Sequence, residues 1–186
     1  KEVIWLDKGQ IKQTGAAADV ISAYTGGSYV QHTEKDESSR NRWGTGDARI
    51  SSIELLNTVD EQVQVIDSSA PVKLRFQISA HTRLESPILR AQITRLNGDV
   101  IWATSTQRGT NTMRVLDGAA TATLNIDSIQ LLEGTYYVSA AITDSTGSTE
   151  FDHCQNWLRF NVHKTNMFDD GIVAINSTWN LERHHK

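Results

Sequence analysis

The residues at 72–80 read VKLRFQISA, and this stretch decides the fold class. Apolar and polar residues alternate strictly along it, so an extended strand has one dry face and one wet face. Further short stretches of alternating or β-branched residues lie on both sides, separated by turn-forming residues about every ten positions. The pattern predicts an all-β sandwich of about eight antiparallel strands packed as two sheets.

The other predicted strands flank recognisable turns. Residues 88–96 and 100–105 surround Asn97-Gly98, a dipeptide that favours a type I′ hairpin turn. The stretch Asp144-Ser145-Thr146-Gly147 predicts a second turn, between strands at 136–143 and 151–162. We predict another strand at 119–126, and residues 171–176 are a candidate last strand.

The N-terminal residues follow a different pattern. An apolar strand, a Lys-Gly turn and a second short strand precede a stretch with the apolar spacing of a short amphipathic helix, at 16–24. A polar, Gly- and Ser-rich segment follows that has almost nothing to bury. We therefore predict three units: a hairpin and short helix at 1–25, a linker at 26–41 and the β-sandwich domain at 42–186.

Composition narrows the function classes. The chain has 186 residues, a net charge of −4 and no run of basic residues, which argues against nucleic acid as a partner. A single cysteine, Cys154, excludes an intrachain disulfide and a multi-cysteine zinc site, and favours a reducing compartment. No apolar run is long enough to span a bilayer, and no phosphate-binding loop is present, so we do not expect this stretch alone to hydrolyse ATP.

The wet faces of three predicted strands combine aromatic, amide, guanidinium and hydroxyl groups. A sugar ring packs its C–H face on an aromatic ring, and its hydroxyls pair with planar polar groups. We therefore predict a carbohydrate-binding face, while an ordinary solvated sheet face remains the alternative. Its candidate residues are Arg90, Gln92, Thr94, Tyr137, Ser139, Thr143, Trp157, Arg159 and Asn161.

Acidic residues cluster around one turn and allow other readings. Asp144, Glu150 and Asp152 could form a calcium loop or a glycosidase carboxylate pair. The spacing of a calcium-binding loop is absent, however, and acidic residues are common in turns. The six histidines do not follow a metal-binding pattern, so we predict neither a catalytic residue nor a metal site.

Several motifs resemble one known family. The start, VIWLDKGQI at 3–11 with VISAY at 20–24, resembles the end of an ABC-transporter ATPase domain. The stretch RWGTGDARI at 42–50 resembles the opening of the C-terminal domain of the Wzt-type ATPase subunits that export polysaccharides. Further matches are RLNGD at 95–99, LEGTY at 132–136, FDH at 151–153 and FNV at 160–162, so the resemblance extends over nearly the whole chain.

This resemblance implies a fold and a function. The fold would be an immunoglobulin-like or jelly-roll β-sandwich, similar to carbohydrate-binding modules. The module would recognise, without catalysis, the nonreducing end of an O-antigen polysaccharide of a Gram-negative bacterium. The glycan would be carried on a polyprenyl diphosphate lipid for export, as part of lipopolysaccharide biosynthesis.

It also implies partners and a place in the cell. The module would form a homodimer at the cytoplasmic face of the inner membrane, and the ATPase domain upstream would bind ATP and Mg²⁺ and contact the permease. The module itself would need no cofactor. Two alternatives remain open: a carbohydrate-active hydrolase, or a dimerisation domain in which residues 172–175 pair across protomers.

Overall fold

The computed structural model describes residues 2–7, 9–16, 20, 41–108, 112–163, 171–175 and 177–180. These residues form an N-terminal hairpin and a two-sheet antiparallel β-sandwich. The strands are β1 Glu2–Asp7, β2 Gln10–Ala16, β3 Asn41–Trp43, β4 Ala48–Leu56, β5 Val65–Asp67, β6 Val72–Glu85, β7 Ile88–Thr94, β8 Val100–Ser105, β9 Val115–Ile126, β10 Gly134–Thr143 and β11 Glu150–His163, with a 3₁₀ turn at Thr106–Arg108.

The sandwich consists of a large sheet and a small sheet. The large sheet has the order β3-β11-β10-β7-β8, and β5 adds to β11 as the one parallel pair among the described strands. The small sheet has the order β4-β6-β9. Consecutive pairs such as β7–β8 and β10–β11 are hairpins, which fits the closely spaced turns of the sequence.

The core lies between the two sheets and confirms the alternation at 72–80. Leu74, Phe76 and Ile78 of β6 are each at most 2% exposed. They pack in one cluster with Tyr136 and Phe160 of the large sheet. The polar partners on β6 point to the other side, where Gln77 accepts a hydrogen bond from Thr121. The dry faces of the two sheets thus form a single hydrophobic layer.

The turn at Asn97-Gly98 differs from the type I′ prediction. Gly98 N donates to Arg95 O, so the turn closes one residue earlier than a type I′ turn centred on this dipeptide. Gly98 has a φ of 89°, whereas Asn97 does not have a positive φ. A tight turn followed by a left-handed glycine is the usual form of a slightly longer hairpin loop.

The ends of the chain are only partly described. The N-terminal hairpin is confirmed, whereas the predicted helix at 16–24 and the linker at 26–41 lie almost wholly outside the described residues. The candidate last strand at 171–176 is reduced to one bridge, between Leu131 and Val173. Within the described part of the chain, we find no helix of a length and hydropathy suited to crossing a membrane.

Candidate functional site

An ion pair at the edge of the sandwich fixes the short strand β3. Arg42 donates to both carboxylate oxygens of Asp152, at 2.8 and 2.7 Å, and to Ile50 O at 3.1 Å. The Asp152 side chain is 2% exposed and also accepts a hydrogen bond from Ile50 N at 2.6 Å. Because Ile50 belongs to the small sheet, this clamp joins β3 and β11 to the opposite layer.

The loop after β3 runs directly against β11. Thr45 N donates to Glu150 O, and Gly46 N donates to Phe151 O at 2.8 Å. Gly44 has a φ of 137°, and a Cβ placed there would lie 2.5 Å from Phe151 O. Only glycine fits this approach without a shift of the backbone, which gives a physical reason for the glycine that follows Arg42 and Trp43.

The strand held in this way presents an aromatic side chain on the outer face of the large sheet. The Trp43 indole stacks on the His153 imidazole, and Trp43 Nε1 donates to Glu150 Oε2 at 2.6 Å. The other oxygen of Glu150 lies 3.1 Å from His153 Nδ1. We call Trp43, His153 and Glu150 the aromatic platform, because the carboxylate holds both rings from one side.

The electrostatics of the platform follow from these contacts. The hydrogen bond with His153 holds the pKa of Glu150 below its ordinary value, and the charge of His153 and the indole N–H act in the same direction. Partial burial opposes the shift, and the positive charge of Arg90 adds to it. Glu150 is therefore ionised at neutral pH, when it can accept both hydrogen bonds.

The platform continues as a row across the large sheet. His153 is paired with Trp43 on one side and with Ala141 on the other, Ala141 is paired with Arg90, and Arg90 with Ser105. Ala141 leaves a low floor between the platform and the exposed Arg90 side chain. An aromatic surface, a shallow floor and a guanidinium thus lie along one line perpendicular to the strands.

A large bulge in β11 rises next to this row. Val138 pairs with Leu158 and Ala140 with Cys154, so three residues of β11 stand opposite Ser139 alone. We call these three residues, 155–157, the arch. Its middle residue, Asn156, has a φ of 51° and is buried. Bulges of this kind re-aim side chains and increase the local twist of a strand.

The structure places the nine predicted glycan contacts unequally. Five remain accessible to different degrees on the large sheet, whereas Thr94, Ser139 and Thr143 are at most 2% exposed and cannot touch a glycan directly. The accessible ones are Arg90, Gln92, Tyr137, Arg159 and Asn161. The ninth, Trp157, does not share the wet face that alternation predicts: its ring packs against the core cluster, and the Arg42 guanidinium lies 5.3 Å from its centre.

The arch explains the burial of Thr94 and Ser139 and the position of Trp157, whereas Thr143 lies at the other end of β10 and donates to Asp144 O. Alternation assigns faces correctly only while a strand stays in register. Three residues of β11 stand against one of β10, so the side chain of Trp157 is re-aimed while the arch itself covers Ser139. Nothing in the local sequence QNW marks a bulge, although a left-handed conformation is several-fold more common for asparagine than for most residues.

The aromatic platform was not among the predicted site residues. Trp43 lies in a strand of three residues, which is too short to show alternation. The only signal for it was the RWGTG stretch on which the family resemblance rests. Glu150 was assigned to the acidic cluster at the turn, and His153 lies within the strand predicted at 151–162 but was not assigned a binding role.

The acidic cluster is engaged within the chain. Asp152 is held by Arg42, and Asp144 accepts hydrogen bonds from Thr146 and Ser148 within its own turn. Glu150 belongs to the platform. Among the residues described, no three His, Cys, Asp or Glu side chains are grouped so as to hold a metal ion. The geometry therefore does not favour the calcium-loop and hydrolase interpretations.

A separate cavity of about 330 Å³ opens where β8 and β9 form the free edges of the two sheets. Its walls are mostly apolar, and threonines and Arg108 lie at its rim. The apolar walls are formed by Phe76, Leu89, Ala91, Ala122 and Leu124. This cavity is an alternative to the outer face as a ligand site.

Together, the two-sheet architecture and the platform define a β-sandwich domain with a candidate binding face on its large sheet. The family model of the Wzt C-terminal domain matches residues 39–175, and the chain belongs to that family. The domain is thus a carbohydrate-binding part of an ABC-transporter subunit.

Among solved structures, the fold is similar to a crystal structure of the C-terminal domain of Wzt, with a TM-score of 0.69 and 18% sequence identity. The match covers 82% of this chain and 95% of the other. No match was found among curated protein sequences.

Proposed function

We propose that the outer face of the large sheet recognises the nonreducing end of an O-antigen polysaccharide and commits the finished glycan to export. The observation that carries this proposal is the row from Trp43 to Arg90. The glycan is carried on a polyprenyl diphosphate lipid at the cytoplasmic face of the inner membrane of a Gram-negative bacterium. An ATPase domain on the same subunit connects the module to the permease.

The chemistry of the row suits a sugar. The C–H face of a pyranose ring packs on the exposed surface of the aromatic platform, and the Glu150 carboxylate keeps the indole in a fixed orientation. Arg90 offers paired donors to ring hydroxyls, and Gln92 adds an amide next to it on the same strand. A shallow face of this kind binds with a Kd of about 1 mM to 1 µM.

This role needs no catalytic step. Each carboxylate near the platform already accepts hydrogen bonds from the chain itself, and the ion pair of Asp152 lies inside the sandwich. A glycosidase instead needs two carboxyl groups on either side of the scissile bond. We therefore assign the face to binding and not to hydrolysis.

Titration calorimetry of the domain tests the proposal. The probes are the O-polysaccharide of the source bacterium and that of an unrelated strain. We expect saturable binding of the first only, without release of shorter sugars. Trp43→Ala and Arg90→Ala should each abolish or greatly weaken it, while Trp179→Ala, which removes a fully exposed tryptophan elsewhere, should leave it unchanged.

Two outcomes would overturn the proposal. The first is failure of the domain to bind either polymer. The second is binding that persists in the Trp43 variant and is lost on Ala122→Trp, which would place the glycan in the cavity between β8 and β9.

We further propose that the module acts as a homodimer. Residues 171–175 lie along their own chain, where Leu132 N donates to Ile172 O and Ala174 N donates to Gln130 O. The outward side of this segment exposes Val173 and Ile175. In the proposed dimer, a second copy covers these apolar side chains. Light scattering should give a dimer for the parent and a monomer for the double variant Val173→Asp, Ile175→Asp; a dimer of the variant would contradict this interface.

A further inference from the structure

We propose that the arch, residues 155–157, is a wall on the large sheet that sets the direction in which the bound glycan runs and excludes glycans with a side branch toward it. Asn156 is the positioning residue of this wall. This inference rests on the proposed function and deepens it. It assigns a role to the polar side chains of Thr94, Ser139 and Asn156, which are buried and therefore do not contact the sugar themselves.

The arch is tied to two neighbouring strands. Asn156 N donates to Ser139 Oγ at 2.8 Å, and Thr94 Oγ1 donates to Asn156 Oδ1 at 2.9 Å. Asn156 Nδ2 also reaches Leu96 O at 3.4 Å. The hydroxyls of Thr94 and Ser139 are 3.3 Å apart. The bulge of β11 therefore leans over β10 and is fastened to β7, one strand beyond its direct neighbour.

These contacts bury polar groups on what would otherwise be the wet side of the sheet. Thr94, Ser139 and Asn156 are only 2%, 1% and 6% exposed. Asn156 also has a left-handed backbone, which non-glycine residues adopt at a cost in strain. Local strain and buried polar networks of this kind recur at binding sites, where the surrounding hydrogen bonds hold them in place.

The position of the arch divides the binding face. Along β10, Ala141, Ser139 and Tyr137 point to the outer side in turn, and the arch covers the middle one. Tyr137 and its cross-strand partner Arg159 are thereby separated from the platform. A glycan that stacks on Trp43 cannot continue along β10 and is directed across the strands.

The free path is the row from Trp43 to Ser105. It crosses five strands, and neighbouring strands are about 4.8 Å apart, so the path is roughly 19 Å long. A short oligosaccharide segment can lie flat along it, over the low floor at Ala141. A side branch that points toward the arch would meet it. The preferred substrate class is therefore a glycan end that is unbranched on this side.

The test uses a double variant that unfastens the arch. Asn156→Gly keeps the left-handed backbone accessible but removes the side-chain hydrogen bonds, and Ser139→Ala removes the acceptor beneath it. Thr121→Val, which removes a threonine hydrogen bond on the outer face of the small sheet, serves as the matched control. Amide shifts are mapped with the source bacterium's O-polysaccharide. Affinity is compared with that for a branched form of the same polysaccharide, in which a side-chain sugar is attached to the repeat.

In the parent and the control, we expect shifts along the row at Trp43, His153, Ala141 and Arg90. In the double variant, we expect the shifts to extend to Tyr137 and Arg159. The preference for the unbranched over the branched polymer, measured as the ratio of their affinities, should be roughly tenfold smaller in the double variant than in the parent. A merely structural role for the arch would weaken both polymers equally and would leave the footprint in place.

The possible failures are distinguishable. If the parent binds and the double variant keeps the footprint and the affinity ratio of the parent, the arch is not a wall and the proposed function stands. If the parent binds neither polymer, both proposals fail. If the double variant does not fold, Gln155→Ala lowers the wall beside the Asn97-Gly98 turn without changing the Asn156 hydrogen bonds, and an unchanged footprint then overturns the inference.

Discussion

The indole of Trp43 lies on the imidazole of His153, with ring centroids 3.9 Å apart and planes inclined by 24°. The two residues are cross-strand partners on β3 and β11. One face of the Trp43 indole is therefore covered by the His153 ring. Glu150 fixes both rings at their edges, through hydrogen bonds with Trp43 Nε1 and His153 Nδ1. A large aromatic surface with a fixed orientation loses little conformational freedom when a sugar ring packs on it.

His153 should support glycan binding through its ring. We expect His153→Ala to weaken binding of the source bacterium's O-polysaccharide by roughly 3- to 10-fold, because the stacking partner of Trp43 is lost. His153→Phe should retain most of the affinity, and the exposed His81→Ala serves as the control. Calorimetry separates the contribution of stacking on Trp43 from that of the hydrogen bond with Glu150. Equal losses of affinity for His153→Ala and His153→Phe would assign the effect to the hydrogen bond.

Removal of Asp152 should destabilise the sandwich. Without this carboxylate, the partly buried Arg42 guanidinium loses its ion-pair partner and Ile50 N loses its acceptor. We expect Asp152→Ala to reduce the free energy of unfolding by about 3–5 kcal/mol, measured by urea denaturation.

The control is Glu85→Ala, which breaks the exposed pair with Arg83. It should change the free energy of unfolding by less than about 1 kcal/mol. Similar losses for the two variants would show that the clamp between Arg42 and Asp152 contributes no more than a surface pair.

A glycine is favoured at Gly44 and Gly46 for different reasons: a positive φ at both positions, and a close backbone contact at Gly44. Both have a positive φ, but only a side chain at Gly44 would collide with the backbone of β11. We expect Gly44→Ala to destabilise the domain by more than about 1 kcal/mol and to displace Trp43. Gly46→Ala carries the backbone strain alone and should have the smaller effect on unfolding and on the fluorescence of the platform. Equal effects would contradict the close approach at Gly44.

The fold was largely predictable because its core strands stay in register. Alternation along β6 requires only that one face is buried, and the structure buries Leu74, Phe76 and Ile78 as the pattern requires. The hairpin turn at Asn97-Gly98 was located correctly, but its type was not. Turn type depends on how the flanking strands end, and β7 and β8 shift register just before the turn.

The candidate site was predictable only in part. Arg90 and Gln92 lie on a regular strand, so period-two reasoning placed them on the outer face. Ser139 and Trp157 were misjudged because a bulge in one strand changes the surface of its neighbours, which is a tertiary effect. Trp43 depends on a clamp between residues that are 110 positions apart, and no local pattern contains that contact.

Cys154 should be chemically silent in the folded domain. Burial raises the pKa of its thiol to about 12, and the nearby Asp152 carboxylate acts in the same direction. Because the thiolate is the reactive form, we expect no alkylation by iodoacetamide at pH 8 until urea unfolds the protein. Mass spectrometry measures the modification. Rapid labelling of the native domain would show that the core around β11 opens readily.

Glu150 should make stability and binding sensitive to acid. Its pKa is held below the ordinary value of 4.5, chiefly by the hydrogen bond with His153. A depressed carboxyl pKa stabilises the folded state above the unfolded pKa, and this contribution is lost as the pH falls through the lower folded value. Trp43 loses its fixed acceptor in the same step.

Urea denaturation of the parent and of Glu150→Gln, from pH 7 down to about pH 3, measures this contribution. We expect the parent to be more stable at neutral pH and the difference to shrink below about pH 4.5. Glu133→Gln, at an exposed position, controls for the loss of a surface charge. If the parent and Glu150→Gln lose stability in parallel on acidification, the carboxylate does not hold the platform, and the fixed orientation of Trp43 must come from stacking alone.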